Sequence, residues 1–118
     1  MEKQTPYEAK IQRDIMVALS EHGCTVFRYN TGRVKIDEGQ AMLAPDYKPR
    51  FFNAGPPQGH PDIGGFRHSD GKAFYIEVKD YKGKLREDQI KFGLFLQKYP
   101  VLYGVARSVE DALEIISK

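Results

Sequence analysis

An α/β fold in the order α-β-β-β-α-β-α is what this 118-residue sequence predicts, and three observations carry it. Apolar residues recur at helical spacing in three separate segments, and capping signals open the first and the last of them. Short runs rich in aromatic and β-branched residues, bounded by Gly, Asn and Asp, lie between the first two helical segments. One more such run separates the second helical segment from the third. At this length the chain is expected to form a single domain over residues 1–118.

The first helix is punctuated at both ends. Thr5 is placed to cap it, Pro6 stands at its first position, and Glu8 follows three residues after the cap. Ile11, Ile15, Ala18 and Leu19 recur at helical spacing until Gly23 ends the run. At about 100° per residue Glu8 shares the broad face of Ile15 and Leu19, with Gln12 at its edge. "CTVFRYN" reads as a strand that "NTG" closes. Residues 33–58 hold prolines and little periodicity, which predicts a long connection with a short hairpin pairing "RVKI" with "RFFN".

"DIGGF" reads as a short strand, "RHSDG" as a turn and "KAFYIEVK" as the strongest strand of the chain. Alternation sends Phe74, Ile76 and Val78 to one face and Tyr75, Glu77 and Lys79 to the other. A second helix is expected from about Leu85 to Tyr99, with Leu85, Phe92, Phe95, Leu96 and Tyr99 as its core stripe and Gln89 at the margin. Ile90 and Leu94 fall off that stripe, which suits either a subunit interface or cover from residues 33–58. After Pro100, "VLYGVA" reads as a strand. Ser108 and Asp111 then form a capping box for a last helix carrying Ala112, Leu113 and Ile116.

Composition narrows the functional classes. With 41% hydrophobic and 29% charged residues the chain reads as an ordinary globular protein. No apolar run reaches the ~18–20 residues of a membrane span, and "MEKQTPYEAK" lacks the apolar core of a secretory signal. A lone cysteine, Cys24, cannot form an internal disulfide or supply a structural zinc cluster. An intracellular, reducing setting is therefore expected, cytoplasmic or nucleoid-associated. A net charge of +2 does not by itself point to nucleic acid. Its distribution says more: Lys79, Lys82, Lys84 and Arg86 cluster, and Arg28, Arg33, Lys35, Lys48 and Arg50 precede the "GHPD" loop.

The chemistry concentrates at Asp62, Glu77 and Lys79. Glu77-x-Lys79 puts a carboxylate and an ammonium on one strand face, ~6–7 Å apart along the chain. Asp62 opens the preceding strand directly after Pro61, so pairing of the two strands brings Asp62 and Glu77 together. Two close carboxylates repel unless they share a proton or a cation. Oxygen ligands of this kind suit Mg²⁺, which can activate water and neutralise charge on a phosphodiester. Lys79 would then orient or deprotonate the water, or stabilise the charged phosphate. A plain salt bridge among the three residues is the structural alternative.

Several motifs in order, "EAKIQ", "FRYNTG", "GHPD", "IEVK", "REDQ" and "LYGVARSVEDAL", resemble the VRR-NUC family of the PD-(D/E)xK nuclease superfamily from about Tyr7 to Ile116. The resemblance implies a restriction-endonuclease-like core, a central mixed sheet flanked by helices, and dependence on Mg²⁺ or Mn²⁺. It implies Asp62 and Glu77 as principal metal ligands, with the Val78 backbone carbonyl beside them. Glu8 resembles the family's first-helix acidic residue, acting on the metal directly or through water. Lys79 resembles the catalytic lysine and Gln89 the glutamine of the following helix, with Gln12 similarly placed. Arg86 stands where many members carry serine, so no capping role carries over to it.

The activity implied is structure-selective cleavage of branched DNA such as Holliday junctions, by a homodimer that needs no nucleotide cofactor and no membrane. Arg28, Asn30, His60, Lys82, Lys84 and Arg86 are the expected DNA contacts. A sequence-specific or flap-type nuclease, or a DNA-binding module without catalysis, are the alternatives on the same fold.

Overall fold

The computed structural model describes residues 5–29, 33–35, 43, 45–48, 51–53 and 55–118, with 33–35 and 51–53 as backbone alone. Its elements are α1 (Pro6–Glu21), β1 (Cys24–Arg28), β2 (Arg33–Lys35), β3 (Phe51–Asn53), β4 (Ile63–Arg67), β5 (Ala73–Val78), α2 (Glu87–Leu96), β6 (Leu102–Ala106) and α3 (Val109–Ile116). Four strands form one mixed sheet in the order β1-β4-β5-β6. β1 and β4 pair antiparallel, as do β4 and β5, whereas β5 and β6 run parallel on either side of α2. β2 and β3 form a separate antiparallel ribbon, the hairpin expected of "RVKI" and "RFFN".

The start of α1 follows its sequence. Thr5 Oγ1 accepts the Glu8 N–H at 3.0 Å and Pro6 occupies the first turn. Gly23, at φ 75°, turns the chain out of the helix in a conformation that costs glycine little. Ile15 and Leu19 are fully buried against one sheet face, where they meet Ile63, Phe74, Ile76 and Val78. α3 covers the rest of that face with Ala112, Ile115 and Ile116. Ile115, absent from the expected core set, packs straight onto Gly104: a Cβ there would stand 2.4 Å from Ile115 Cδ1.

The opposite sheet face carries the polar and aromatic positions, and α2 covers only part of it. Here the expected helix is corrected. α2 spans Glu87–Leu96 and buries Gln89, Gly93 and Leu96. Phe95 and Tyr99, expected in the core stripe, are 45% and 52% exposed. The cause is a close backbone approach: a Cβ on Gly93 would come 2.5 Å from the Tyr103 hydroxyl oxygen. That contact makes the 89–93–96 row the buried edge and rotates Phe95 and Tyr99 outward. Among the described residues no helix is long and apolar enough to cross a membrane.

Candidate functional site

The site begins as a consequence of strand register. β4 and β5 pair Ile63 with Ile76, and β1 and β4 pair Arg28 with Ile63. One residue further, Asp62 faces Glu77 and Tyr29 faces Asp62, so all three share the face that α2 partly covers. Two hydrogen bonds fix this extension of the sheet. The Tyr29 N–H donates to the Asp62 carbonyl at 2.9 Å. The Val78 N–H donates to Asp62 Oδ2 at 3.0 Å.

The loop that delivers Asp62 is held from the other side. Gly59 has φ 85°, and a Cβ on it would lie 2.3 Å from the Asp88 carbonyl oxygen. Only glycine fits there. The "GHPD" backbone therefore rests directly on the first turn of α2, the same turn that reaches Glu77.

Glu77 is 2% exposed. Its Oε1 accepts a hydrogen bond from Gln89 Nε2 at 3.1 Å, while Gln89 Oε1 accepts the Arg86 N–H at 2.9 Å. The amide is thus satisfied at both ends in one orientation only, and Gln89 is the centre of the buried edge rather than its margin. Glu77 Oε2 is buried without a hydrogen-bond donor. Burial first, then the adjacent Asp62 carboxylate, push the Glu77 carboxyl up to about 9, against weaker opposing effects of Lys79 and Arg86. At neutral pH the Glu77 carboxyl therefore keeps its proton. A cation would answer the same repulsion.

Lys79 is 5% exposed. Its backbone N–H donates to the Ala106 carbonyl at 3.1 Å, and a Cβ on Gly83 would sit 3.2 Å from its Cδ. Its charge is felt at Glu77. Among the described residues, however, no carboxylate lies within 4.0 Å of its ammonium, so the simple salt bridge is not formed. Val78 buries its side chain completely in the core, which holds its backbone beside Asp62.

Glu8 occupies the first turn of α1 and is half-buried; Gln12, one turn on, is 5% exposed. Thr5 Oγ1 donates to Asp80 Oδ2 at 3.1 Å, which ties this end of α1 to the residue after Lys79. Among the described residues no group of three or more His, Cys, Asp or Glu side chains is placed to hold a metal ion. Asp62 and Glu77 are a pair, and Glu8 does not close them into a triad.

The expected DNA contacts separate. Lys82 and Lys84 are exposed on the connection from β5 to α2. Arg86, also exposed, pairs with Asp88 at 3.2 Å. Arg28 is exposed but alternates onto the sheet face opposite Asp62 and Glu77. Asn30 lies outside the described residues. His60 is half-buried among rings: Tyr29 at 4.2 Å, Phe92 at 5.1 Å and Tyr75 at 5.6 Å between centroids. Its Nδ1 donates to the Pro61 carbonyl at 2.8 Å, and burial lowers its pKa, so it is a neutral ring rather than a cation for phosphate.

Sequence reasoning missed Tyr103, whose hydroxyl is pushed up in pKa by burial and then by the charge of Glu77. The parallel register sets Tyr103 beside Tyr75, a pairing that no local pattern reveals. Tyr75, by contrast, was visible from its alternation with Glu77. No protein-family model matches the chain, and no curated protein matches it.

Proposed function

We propose that this chain is a divalent-metal-dependent endonuclease that hydrolyses phosphodiester bonds in branched DNA, built as a VRR-NUC domain on a restriction-endonuclease-like core. One observation carries the proposal: a buried carboxylate oxygen, Glu77 Oε2, has no donor and is set beside a second carboxylate, Asp62. Asp62, Glu77 and the Val78 carbonyl would hold Mg²⁺ or Mn²⁺, and such an ion supplies a bound water of lowered pKa and neutralises charge on phosphate. The mixed sheet, with Glu77 near the end of β5 and Lys79 directly after it, supports the same reading.

The chain's own groups divide the remaining work. Gln89 engages Oε1 of Glu77 and leaves Oε2 turned to the ligand position. The Val78 N–H holds Asp62 against Glu77. Lys79, buried and without a carboxylate partner among the described residues, keeps its ammonium for a scissile phosphate and its attacking water. Glu8 acts from the first turn of α1 through water. Lys82 and Lys84 contact neighbouring phosphates, which position DNA without reading its sequence. Ile90 and Leu94, 47% and 59% exposed beside the buried edge of α2, are the surface proposed for a homodimer.

The test compares four-way, flap, splayed and linear duplex DNAs in Mg²⁺ or Mn²⁺, using the wild type and Asp62→Asn. Metal-dependent cleavage of branched DNA that falls at least ~100-fold in the variant is expected. Equal cleavage by both proteins removes the site assignment. Preferential cutting of linear duplex supports a sequence-specific enzyme, and binding without cleavage on any substrate supports a non-catalytic module.

A further inference from the structure

The face that bears the carboxylate pair also bears an unbroken run of aromatic rings. Phe27 meets Tyr29 edge-on at 5.2 Å, and Tyr29 stacks near-parallel to Tyr75 at 6.2 Å. His60 bridges Tyr29 to Phe92 at 4.2 and 5.1 Å. Phe92 then leads to Phe95 at 5.6 Å, and Phe95 to Tyr99 at 5.2 Å. The run therefore crosses from the edge strand β1 to the end of α2. It passes Tyr75, two residues from Glu77, and His60, two residues from Asp62.

Core packing accounts for the half-buried centre of this run and not for its ends. Phe27, Phe95 and Tyr99 are 43%, 45% and 52% exposed, although each already touches a ring within the run. Tyr29 lies down over Gly64, where a Cβ would come 2.6 Å from its Cε2. A side chain at that position would lift the ring off the sheet. The exposed members of this run are thus all aromatic, whereas the aliphatic Ile90 and Leu94 stand on another side of α2. Exposed Lys98 directly precedes Tyr99 in the chain, so a cation for a backbone stands next to a planar surface for bases. That pairing of features is how proteins bind a single strand without reading its sequence.

We propose that this aromatic run is a stacking surface for the unpaired bases of a single-stranded DNA segment, leading that strand to the Asp62–Glu77 pair. The inference rests on the nuclease reading and sharpens its substrate: DNA with an unpaired stretch beside the scissile phosphate.

The experiment reads binding rather than cleavage. Fluorescence anisotropy with labelled oligo(dT) and with a hairpin duplex of equal phosphate number is measured in EDTA for the wild type, Phe95→Leu and Tyr99→Leu. Leucine keeps an apolar side chain at an exposed position and removes the π face. Each variant should lose about five-fold or more in affinity for oligo(dT), with duplex affinity and melting temperature unchanged. Unchanged oligo(dT) binding, or equal losses for single strand and duplex, overturns the proposal. So does a change in oligomeric state by light scattering without a change in DNA binding, which assigns the rings to self-association. Ring-dependent oligo(dT) binding in a protein that cleaves no DNA sustains the stacking surface and defeats the nuclease reading alone.

Discussion

Gln89 donates from Nε2 to Glu77 Oε1 at 3.1 Å, and the same amide accepts the Arg86 N–H through its oxygen at 2.9 Å. One side chain therefore joins the first turn of α2 to the buried carboxylate at the end of β5. Glu77 depends on α2 for its orientation, although Glu77 and Gln89 stand 12 residues apart in the chain.

Gln89→Leu removes the donor and leaves Glu77 Oε1 buried without one, at a cost of about 1–3 kcal/mol in stability. Groups that orient a metal ligand in this way cost ~10–100-fold in metal affinity or activity when lost. The expected result is a higher Mg²⁺ concentration for half-maximal cleavage in Gln89→Leu, read from a metal titration beside a melting curve. A lower melting temperature with an unchanged Mg²⁺ dependence makes Gln89 a structural residue only.

Metal-free stability should fall as pH rises from about 7 to 9. The folded-state pKa of Glu77, about 9, lies above the ordinary carboxylate value of 4.5, so the folded protein holds a proton that the unfolded chain has released. That contribution is complete below 4.5 and is lost as pH passes through the folded value, with a slope reaching at most about 1.4 kcal/mol per pH unit. His60, whose pKa is lowered, changes charge below this window and does not contribute to it. Denaturant melts in EDTA should show the decline in the wild type and its loss in Glu77→Gln. Adding Mg²⁺ should flatten it in the wild type, because a cation replaces the proton.

Lys79→Met keeps the buried stem and removes the ammonium. Cleavage is expected to fall by ~10²–10⁴-fold, the range of an electrostatic or proton-transfer group. Oligo(dT) and duplex affinities in EDTA should change little, because Lys79 is only 5% exposed. A parallel loss of cleavage and DNA affinity would make Lys79 a binding residue.

Glu8 and Thr5 separate capping from chemistry. Thr5→Ala removes the acceptor for the Glu8 N–H and the donor to Asp80, and should cost ~1 kcal/mol in stability. Glu8→Gln keeps the backbone N–H that the cap uses, so it should lose cleavage with little change in melting temperature. Equal losses of melting temperature and activity in Glu8→Gln would reduce the residue to its place in the helix start.

Much of this was legible locally because the signals are local. Thr5-Pro6 and Gly23 delimit α1 through capping and backbone conformation, which need no distant partner. Strict alternation in "AFYIEVKD" was enough to place Phe74, Ile76 and Val78 in the core and Glu77 on the other face. The second helix was misread where its environment is non-local. Helical periodicity favoured the large side chains Phe95 and Tyr99, yet a glycine, Gly93, marks the face that meets the sheet, because Tyr103 needs that space.

By itself the sequence determined the residue types that make a cation site conceivable, Asp62, Glu77 and Lys79, and the faces their strands present, since both follow from chemistry and a two-residue period. Only the tertiary structure decided that Asp62 and Glu77 stand opposite each other, that one Glu77 oxygen is bound by Gln89 and the other by no donor, and that Lys79 makes no salt bridge to a described carboxylate. Register, burial and the docking of α2 are relations between distant segments. They arise from packing, where the space left by Gly59 and Gly93 counts as much as any charge.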